Sequence, residues 1–431
     1  MPGFGLLAAA LAGSSCTPRG EGPARPEPLS AVLMGYSFSP GYNLMTASLQ
    51  SYTKASGVPV RFVPAPQRKP ERLEQYLAWL RAGAAAPDVY QADITEIGRL
   101  AEHMIDLRPF LAQEAQEQIP EVMAHYEIGG RLVALPLYTD VAVLIYRTDL
   151  LADAGYRGPP RSWDELEEMA ARIQARQRAA GHEGFWGFAW PGKADDDLLC
   201  FALELQATHG GGGIVDPDGT VTVNNPRARA ALLRARRWIG RISPRGITAY
   251  SPADAGNLWY SGQAAFFRTW PHAYAVSQEP SSPIRGKVAL AALPSGGAGH
   301  FGTLGGWQLS VSRHSARPRQ AAELVRSLVR REEQRARAVR LSGLPPRLDL
   351  YEDPEVLRAN PFFPQVRDIL LQGAVARPTR GAGRAYEEVA AAYIAAVHAV
   401  LEGQAEPAPA LDALERRLRA LLAAAPPHAR P

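Results

Sequence analysis

Tyr138 and Asp140 stand in the turn Pro136-Leu137-Tyr138-Thr139-Asp140, immediately before the unbroken apolar run 141–145. An apolar run bounded by turn signals suits a strand buried on both faces. Its two polar neighbours then sit at the mouth of the strand, where they face a cleft. A third carboxylate, Asp93, ends the segment 87–93, and Ser37 and Ser39 follow the segment 31–36; both segments read as strands. Carboxylates accept paired bonds from adjacent hydroxyls, and a phenol both donates and accepts. Rings add flat apolar surfaces. Such a set suits recognition of a guest that presents hydroxyls beside C–H faces.

Other chemistries find less support. The nine histidines are scattered, with no His-x3-His and no cysteine pair at ligand spacing, so no metal site is expected. No Gly-x-Ser-x-Gly elbow follows a strand. The four glycines 210–213 precede Ile214-Val215-Asp216, where a phosphate loop needs Lys-Ser/Thr, so they read as a plain loop. No cofactor is expected.

The elements that must hold these residues alternate. A first strand at 31–36 leads to a helix at 42–56, a strand at 58–63 and a helix from Pro70 with Leu73, Leu77 and Leu80 at helical spacing. The strand 87–93 and a helix from Ile94 follow. This alternation predicts an α/β fold with parallel strands and helices on both faces. Ligands in such sheets bind beyond the carboxyl ends of the strands. That rule puts Ser37, Ser39 and Asp93 at one rim. Further on, Ser162 caps a helix with an acidic first turn, 187–190 is a strand ending in Trp190, and Cys200 lies in an apolar helix as a core thiol. Strands at 264–271, 288–294 and 304–312, a helix at 318–333 and two closing helices at 383–402 and 408–423 complete the pattern. Trp190, Tyr36 and Asp196 in the acidic run 195–197 are additional candidates for a cleft.

The stretch 136–151, the triplet Gly305-Gly306-Trp307, the strand ending Thr269-Trp270-Pro271 and Ala376-Arg377-Pro378 together resemble family 1 extracellular solute-binding proteins, the sugar-binding subunits of ABC importers. The similarity runs from about Val32 onward and is closest to the trehalose/maltose-binding branch. It implies a two-lobed periplasmic-binding-protein fold (type II), each lobe a mainly parallel sheet flanked by helices, joined by hinge crossovers. The expected lobes are 29–138 with 303–345, and 139–302 with 346–425. By matching motifs the resemblance implicates Arg72, Asp93, Tyr138, Asp140, Trp270, Gly305, Gly306, Trp307 and Arg377 in binding. Where the branch carries a Glu near the end of the first strand, this sequence has Ser37, Ser39 and Pro40. The implied partners are a sugar, an α-linked disaccharide such as trehalose or maltose, and the membrane permease of an ABC transporter. A monomer is expected, and no enzymatic activity.

Read on their own, the same residues admit other roles: Arg72 as an exposed helix-start residue, Asp93 as a helix cap, Asp140 as a turn cap, and Trp270 and Trp307 as core aromatics. A glycoside hydrolase would also use carboxylates and tryptophans in a cleft, but needs a carboxyl pair at a set separation. A cleft rich in cations would instead point to a solute other than a sugar.

Composition agrees with two globular lobes: 431 residues, 46% hydrophobic and 21% charged, with a net charge of only +4. The arginines interleave with Glu as solvated helix faces, which does not suggest a nucleic-acid groove. Residues 1–15 form a short apolar stretch ending in small residues before Cys16, similar to a bacterial lipoprotein signal, with 17–28 as a Pro/Gly-rich tether. Lipidation at Cys16 would be the sole membrane attachment, at the extracytoplasmic face. It would also leave Cys200 with no disulfide partner.

Overall fold

Ten strands make two main sheets, and two more pair as a short hairpin, in the computed structural model, which describes residues 27–33, 40–66 and 68–424. Cys16, Tyr36, Ser37 and Ser39 lie outside the described residues. In chain order the strands are β1 (Leu29–Val32), β2 (Val60–Phe62), β3 (Val89–Asp93), β4 (Glu127–Ile128), β5 (Arg131–Leu132), β6 (Leu135–Val141), β7 (Val143–Arg147), β8 (Trp186–Ala189), β9 (Ala264–Thr269), β10 (Val288–Ala291), β11 (Gly302–Val311) and β12 (Ala374–Val375).

The first sheet runs β12-β11-β3-β1-β2, with β6 on β11. Its β1–β2, β1–β3 and β11–β12 pairs are parallel, and β11 lies antiparallel to β3 and β6. The second sheet, β10-β7-β9-β8, departs from the mainly parallel expectation: β7 is antiparallel to both neighbours, and only β8–β9 is parallel. The path of the chain explains this. It enters the second lobe through β7 and leaves through β10, so two strands threaded by one crossover run in opposite directions.

The crossover itself is the β6–β11 ladder. Both strands start or end in the first sheet, and the Ala142 N–H donates to the Thr303 carbonyl at 3.1 Å where they leave it. Thr303 is tied in turn to the second lobe: its Oγ1 donates to the carbonyl of Cys200 at 3.1 Å, on the helix Asp196–Thr208. Cys200 is buried there, as its apolar context predicts. A third passage follows β12 through Ala376-Arg377-Pro378.

Strand alternation divides the cores. Leu144 and Phe266 enter one cluster while their neighbours Ile145 and Phe267 enter the other. Of the segment 346–425 expected with the second lobe, the helices from Thr379 onward do bury into the second cluster, through Tyr386, Tyr393, Leu411 and Leu414. Val356, Phe363, Val366 and Leu370 instead join the cluster that contains Val89, Leu309 and Val311 of the first sheet.

Candidate functional site

Strand β11 organises the crevice. Its Trp307 lies in register with Asp93 on β3 and with Tyr138 on β6, and its Gly305 with Asp140. Along β6, Tyr138 and Asp140 are half-buried and Thr139 between them is fully buried, so the two polar side chains share the open face. A Cβ on Gly305 would stand 2.8 Å from the Trp270 ring and 3.3 Å from the Asp140 Cβ. Only glycine lets the second lobe's tryptophan lie against this strand. Gly306, at φ +133°, takes a conformation that other residues rarely adopt, and a Cβ there would meet the Tyr138 carbonyl at 2.8 Å.

The turn after β3 is locked by its own side chains. Asp93 Oδ1 accepts from the Thr95 N–H at 3.0 Å and from Thr95 Oγ1 at 2.6 Å. Glu96 Oε2 accepts from the Asp93 N–H at 2.7 Å, and its Oε1 accepts from Arg72 Nη2 at 2.8 Å. The Arg72 guanidinium lies 5.0 Å from the centroid of the Trp307 ring, in cation–π range. Burial pushes the Glu96 carboxyl up to about 7 against the pull of Arg72, with Asp93 adding to the rise.

Charges from both lobes meet beyond this turn. Arg377 Nη2 lies 3.3 Å from Asp93 Oδ1, and its Nη1 donates to Asp196 Oδ2 at 2.5 Å. Lys69 Nζ lies 3.1 Å from Asp196 Oδ1, 4.0 Å from Asp93 Oδ1 and 5.5 Å from the centre of the Tyr386 ring. Burial alone would raise the Asp93 pKa; Arg377 and then Lys69 outweigh it and hold the carboxyl at about 2. Asp196 is lowered in the same way, with Lys69 the stronger partner. Asp140 differs: burial raises it well above the ordinary carboxylate range, opposed only by the Val141 N–H and a weak pull from Arg268. Burial likewise raises the Tyr138 phenol.

Trp270 is held from behind. Its Nε1 donates to Asp197 Oδ1 at 3.3 Å, and the Arg268 guanidinium lies 5.0 Å from its ring centroid. Arg268 is itself fixed by a two-pronged pair with buried Glu204, one prong Nε to Oε2 at 2.7 Å. The result is a rigid ring at the crevice wall.

Arg72, Asp93, Tyr138, Asp140, Trp270, Gly305, Gly306, Trp307 and Arg377 therefore form one contiguous set. Trp190 does not join it: its side chain is 0% exposed, its Nε1 donates to Ser243 Oγ at 3.0 Å, and its ring packs 4.8 Å from Phe201 in the second core. The strand ends one residue earlier than expected, at Ala189, and the side chain of Trp190 just beyond it turns inward. Sequence reasoning missed Lys69, Glu96, Asp197, Arg268 and Glu204. Lys69 and Glu96 carried a faint signal, Lys69 as the first residue of the helix Lys69–Arg81 and Glu96 as the residue before the helix that follows Asp93; the Arg268–Glu204 pair joins distant segments and carried none.

Chemically this set offers an ionised acceptor at Asp93, buried donors and two flat rings. Among the described residues no group of three or more His, Cys, Asp or Glu could hold a metal ion, and no helix is long and apolar enough to cross a membrane.

The sequence and fold are similar to those of known proteins. Residues 41–335 match the family model described as bacterial extracellular solute-binding protein. A probable ABC transporter-binding protein of Deinococcus radiodurans is 41% identical over 384 residues, covering 89% of this chain and 91% of its own. The maltodextrin-binding protein MdxE of Bacillus subtilis is 26% identical over 220 residues, about half of either chain, at 49% of each. Among solved structures, maltose-bound MalE3 of T. maritima superposes with a TM-score of 0.84 at 31% identity, covering 91% of this chain and 99% of the other.

Proposed function

Because the chain belongs to the bacterial extracellular solute-binding protein family, we propose that it captures an α-linked disaccharide, such as trehalose or maltose, between its lobes and delivers it to an ABC permease. It is the substrate-binding component of an ABC transporter; the identity of the sugar is the proposal. The observation that carries it is the approach of the Trp270 ring of the second lobe to Gly305 on β11, two residues from Trp307 on the same strand, with Asp93 in register with Trp307 and Asp140 in register with Gly305. Stacking rings cover the C–H faces of a pyranose while carboxylates take its hydroxyl pairs. The maltose complex of the structurally similar MalE3 supports this choice.

Arg72, Asp93, Tyr138, Asp140, Trp270, Trp307 and Arg377 would line the bound sugar, with the backbone at Gly305 and Gly306 closing on it. The lobes would hinge at the β6–β11 crossover, and the permease would read the closed form. Lipidation of Cys16 would hold the domain at the extracytoplasmic face. The sugar leaves unchanged.

A thermal-shift panel of mono- and disaccharides tests the reading, since a ligand of the folded state raises the melting temperature. Stabilisation by an α-linked disaccharide is expected. No shift with any sugar overturns the proposal, and so does cleavage of a labelled disaccharide on incubation.

A further inference from the structure

Every cation so far described in the crevice has a carboxylate: Arg72 has Glu96, Lys69 and Arg377 have Asp93 and Asp196, and Arg268 has Glu204. Arg337 is the exception. It lies on the helix Arg331–Leu341, is 5% exposed, and neither Nη1 nor Nη2 bonds to any described residue. Arg234 and Arg268 each leave one nitrogen without a bond as well, but both hold ion pairs through the others.

Its place is at the crevice. A Cβ on Gly343 would lie 3.9 Å from the Arg337 Cβ and 4.0 Å from the Tyr138 Cβ, so the two side chains spring from neighbouring points. The helix of Arg337 packs on Pro40–Ser56 of the first lobe and on His272–Ser277, which follows Trp270 in the second. The position is rigid: Ser342, beyond the helix end, donates from Oγ to Asn360 Oδ1 at 2.6 Å, and Asn360 Nδ2 returns a bond to the Ala338 carbonyl at 2.9 Å. The charged and titratable groups that act on Arg337 are Glu333, one turn earlier, and Tyr138. Glu333 is already engaged by Ser48 and Arg330. Burial, with so little opposing charge, pulls the guanidinium down to about 10.

A guanidinium held out of water without a counter-charge is costly, and a planar fork is completed best by an oxyanion. We infer that Arg337 is a specificity-determining residue that receives an oxyanion of the solute beside Tyr138, so that the favoured sugar carries a carboxylate or a phosphate. Asp140, two residues along the same face, is held toward its protonated form by burial and so does not repel such a group. This inference rests on the sugar-binding reading above and narrows it.

Calorimetric titration of the full chain at pH 7 with maltose, maltobionate and maltose 1-phosphate tests it, in wild type and in Arg337→Gln. At least one oxyanion sugar is expected to bind about tenfold or more tighter than maltose, the scale of a charge-assisted pair, and the Gln variant to lose that preference. Which of the two is preferred separates carboxylate from phosphate. Should the Gln variant fail to fold, Arg337→Lys keeps the charge without the fork, and the preference is expected to fall severalfold. Maltose binding as tightly as both derivatives overturns the inference alone, as does a preference unchanged in both variants. Failure of all three sugars to bind overturns the sugar reading and this inference with it.

Discussion

Trp307, midway along β11, and Trp190, just past the end of β8, show how one residue type takes opposite fates. Trp307 is half-buried under Arg72, whereas Trp190 is sealed among Phe201 and Ser243. Trp307→Ala is therefore expected to weaken sugar binding by about 2 kcal/mol, roughly 30-fold, with little change in melting temperature. Trp190→Ala is expected to cost about 3–5 kcal/mol of stability, read by urea denaturation, and to leave the affinity of the folded fraction unchanged. The local sequence separates the two only weakly, because Phe188 and Trp190 share a face by alternation and nothing nearby says which face is inward. Asp93 was legible as a rim carboxylate; its low pKa was not, since Arg377 arrives from a segment almost three hundred positions later in the sequence. That pKa has a consequence for acid stability. At about 2 in the folded chain against an ordinary 3.8, the carboxyl gives its proton up more readily folded than unfolded. Asp93 thus adds stability, roughly 2 kcal/mol, that is complete above about pH 4 and lost as the pH falls toward 2. Melting curves of wild type and Asp93→Asn should differ at pH 5–7 and converge near pH 2; a gap that stays constant with pH would contradict the pairing with Arg377 and Lys69.

Among the elements, the β6–β11 ladder carries most of the site, and its two glycines do different things. Gly305 makes room for the Trp270 ring, so Gly305→Ala should displace that ring and weaken sugar binding while the ladder stays intact. Gly306 meets backbone, the Tyr138 carbonyl, and holds φ +133°, so neither neighbour nor conformation can yield cheaply. Gly306→Ala is expected to destabilise the folded chain by about 1–3 kcal/mol, measured by chemical denaturation. Comparing the two variants separates a packing role from a backbone one. The strand–helix alternation of the first lobe could be read from apolar periodicity, as with Leu73, Leu77 and Leu80, all buried on the helix Lys69–Arg81. The pairing directions of the second sheet could not. Periodicity reports which residues are buried, and β7 and β9 bury both faces whichever way they run. The same limit applies to the helices Pro354–Ala359 and Phe363–Gln372, whose apolar faces mark them as packed without saying against which sheet.

Across the whole molecule, charged pairs join the lobes as well as apolar surface. Lys69 at the start of the helix Lys69–Arg81 reaches Asp196 at the start of the helix Asp196–Thr208, with side chains 18% and 29% exposed. Both ends of this pair move apart if the lobes open about the β6–β11 crossover, because Lys69 belongs to the first lobe and Asp196 to the second. Arg377, on the third passage between lobes, stays near the hinge and can keep one carboxylate when the other withdraws. The Lys69–Asp196 bond therefore exists in the closed arrangement and favours it, by about 1 kcal/mol given the partial exposure. Lys69→Met should shift the unliganded chain toward a larger radius of gyration in small-angle X-ray scattering. It should also weaken sugar binding about fivefold, mainly through faster release. Raising the salt concentration should reproduce part of the effect in wild type and little of it in the variant, since a partly exposed ion pair is screened. A variant with unchanged scattering and unchanged release would mean that closure is held by Trp270, Trp307 and the bound sugar alone, leaving the ion pair as a passenger of the closed form.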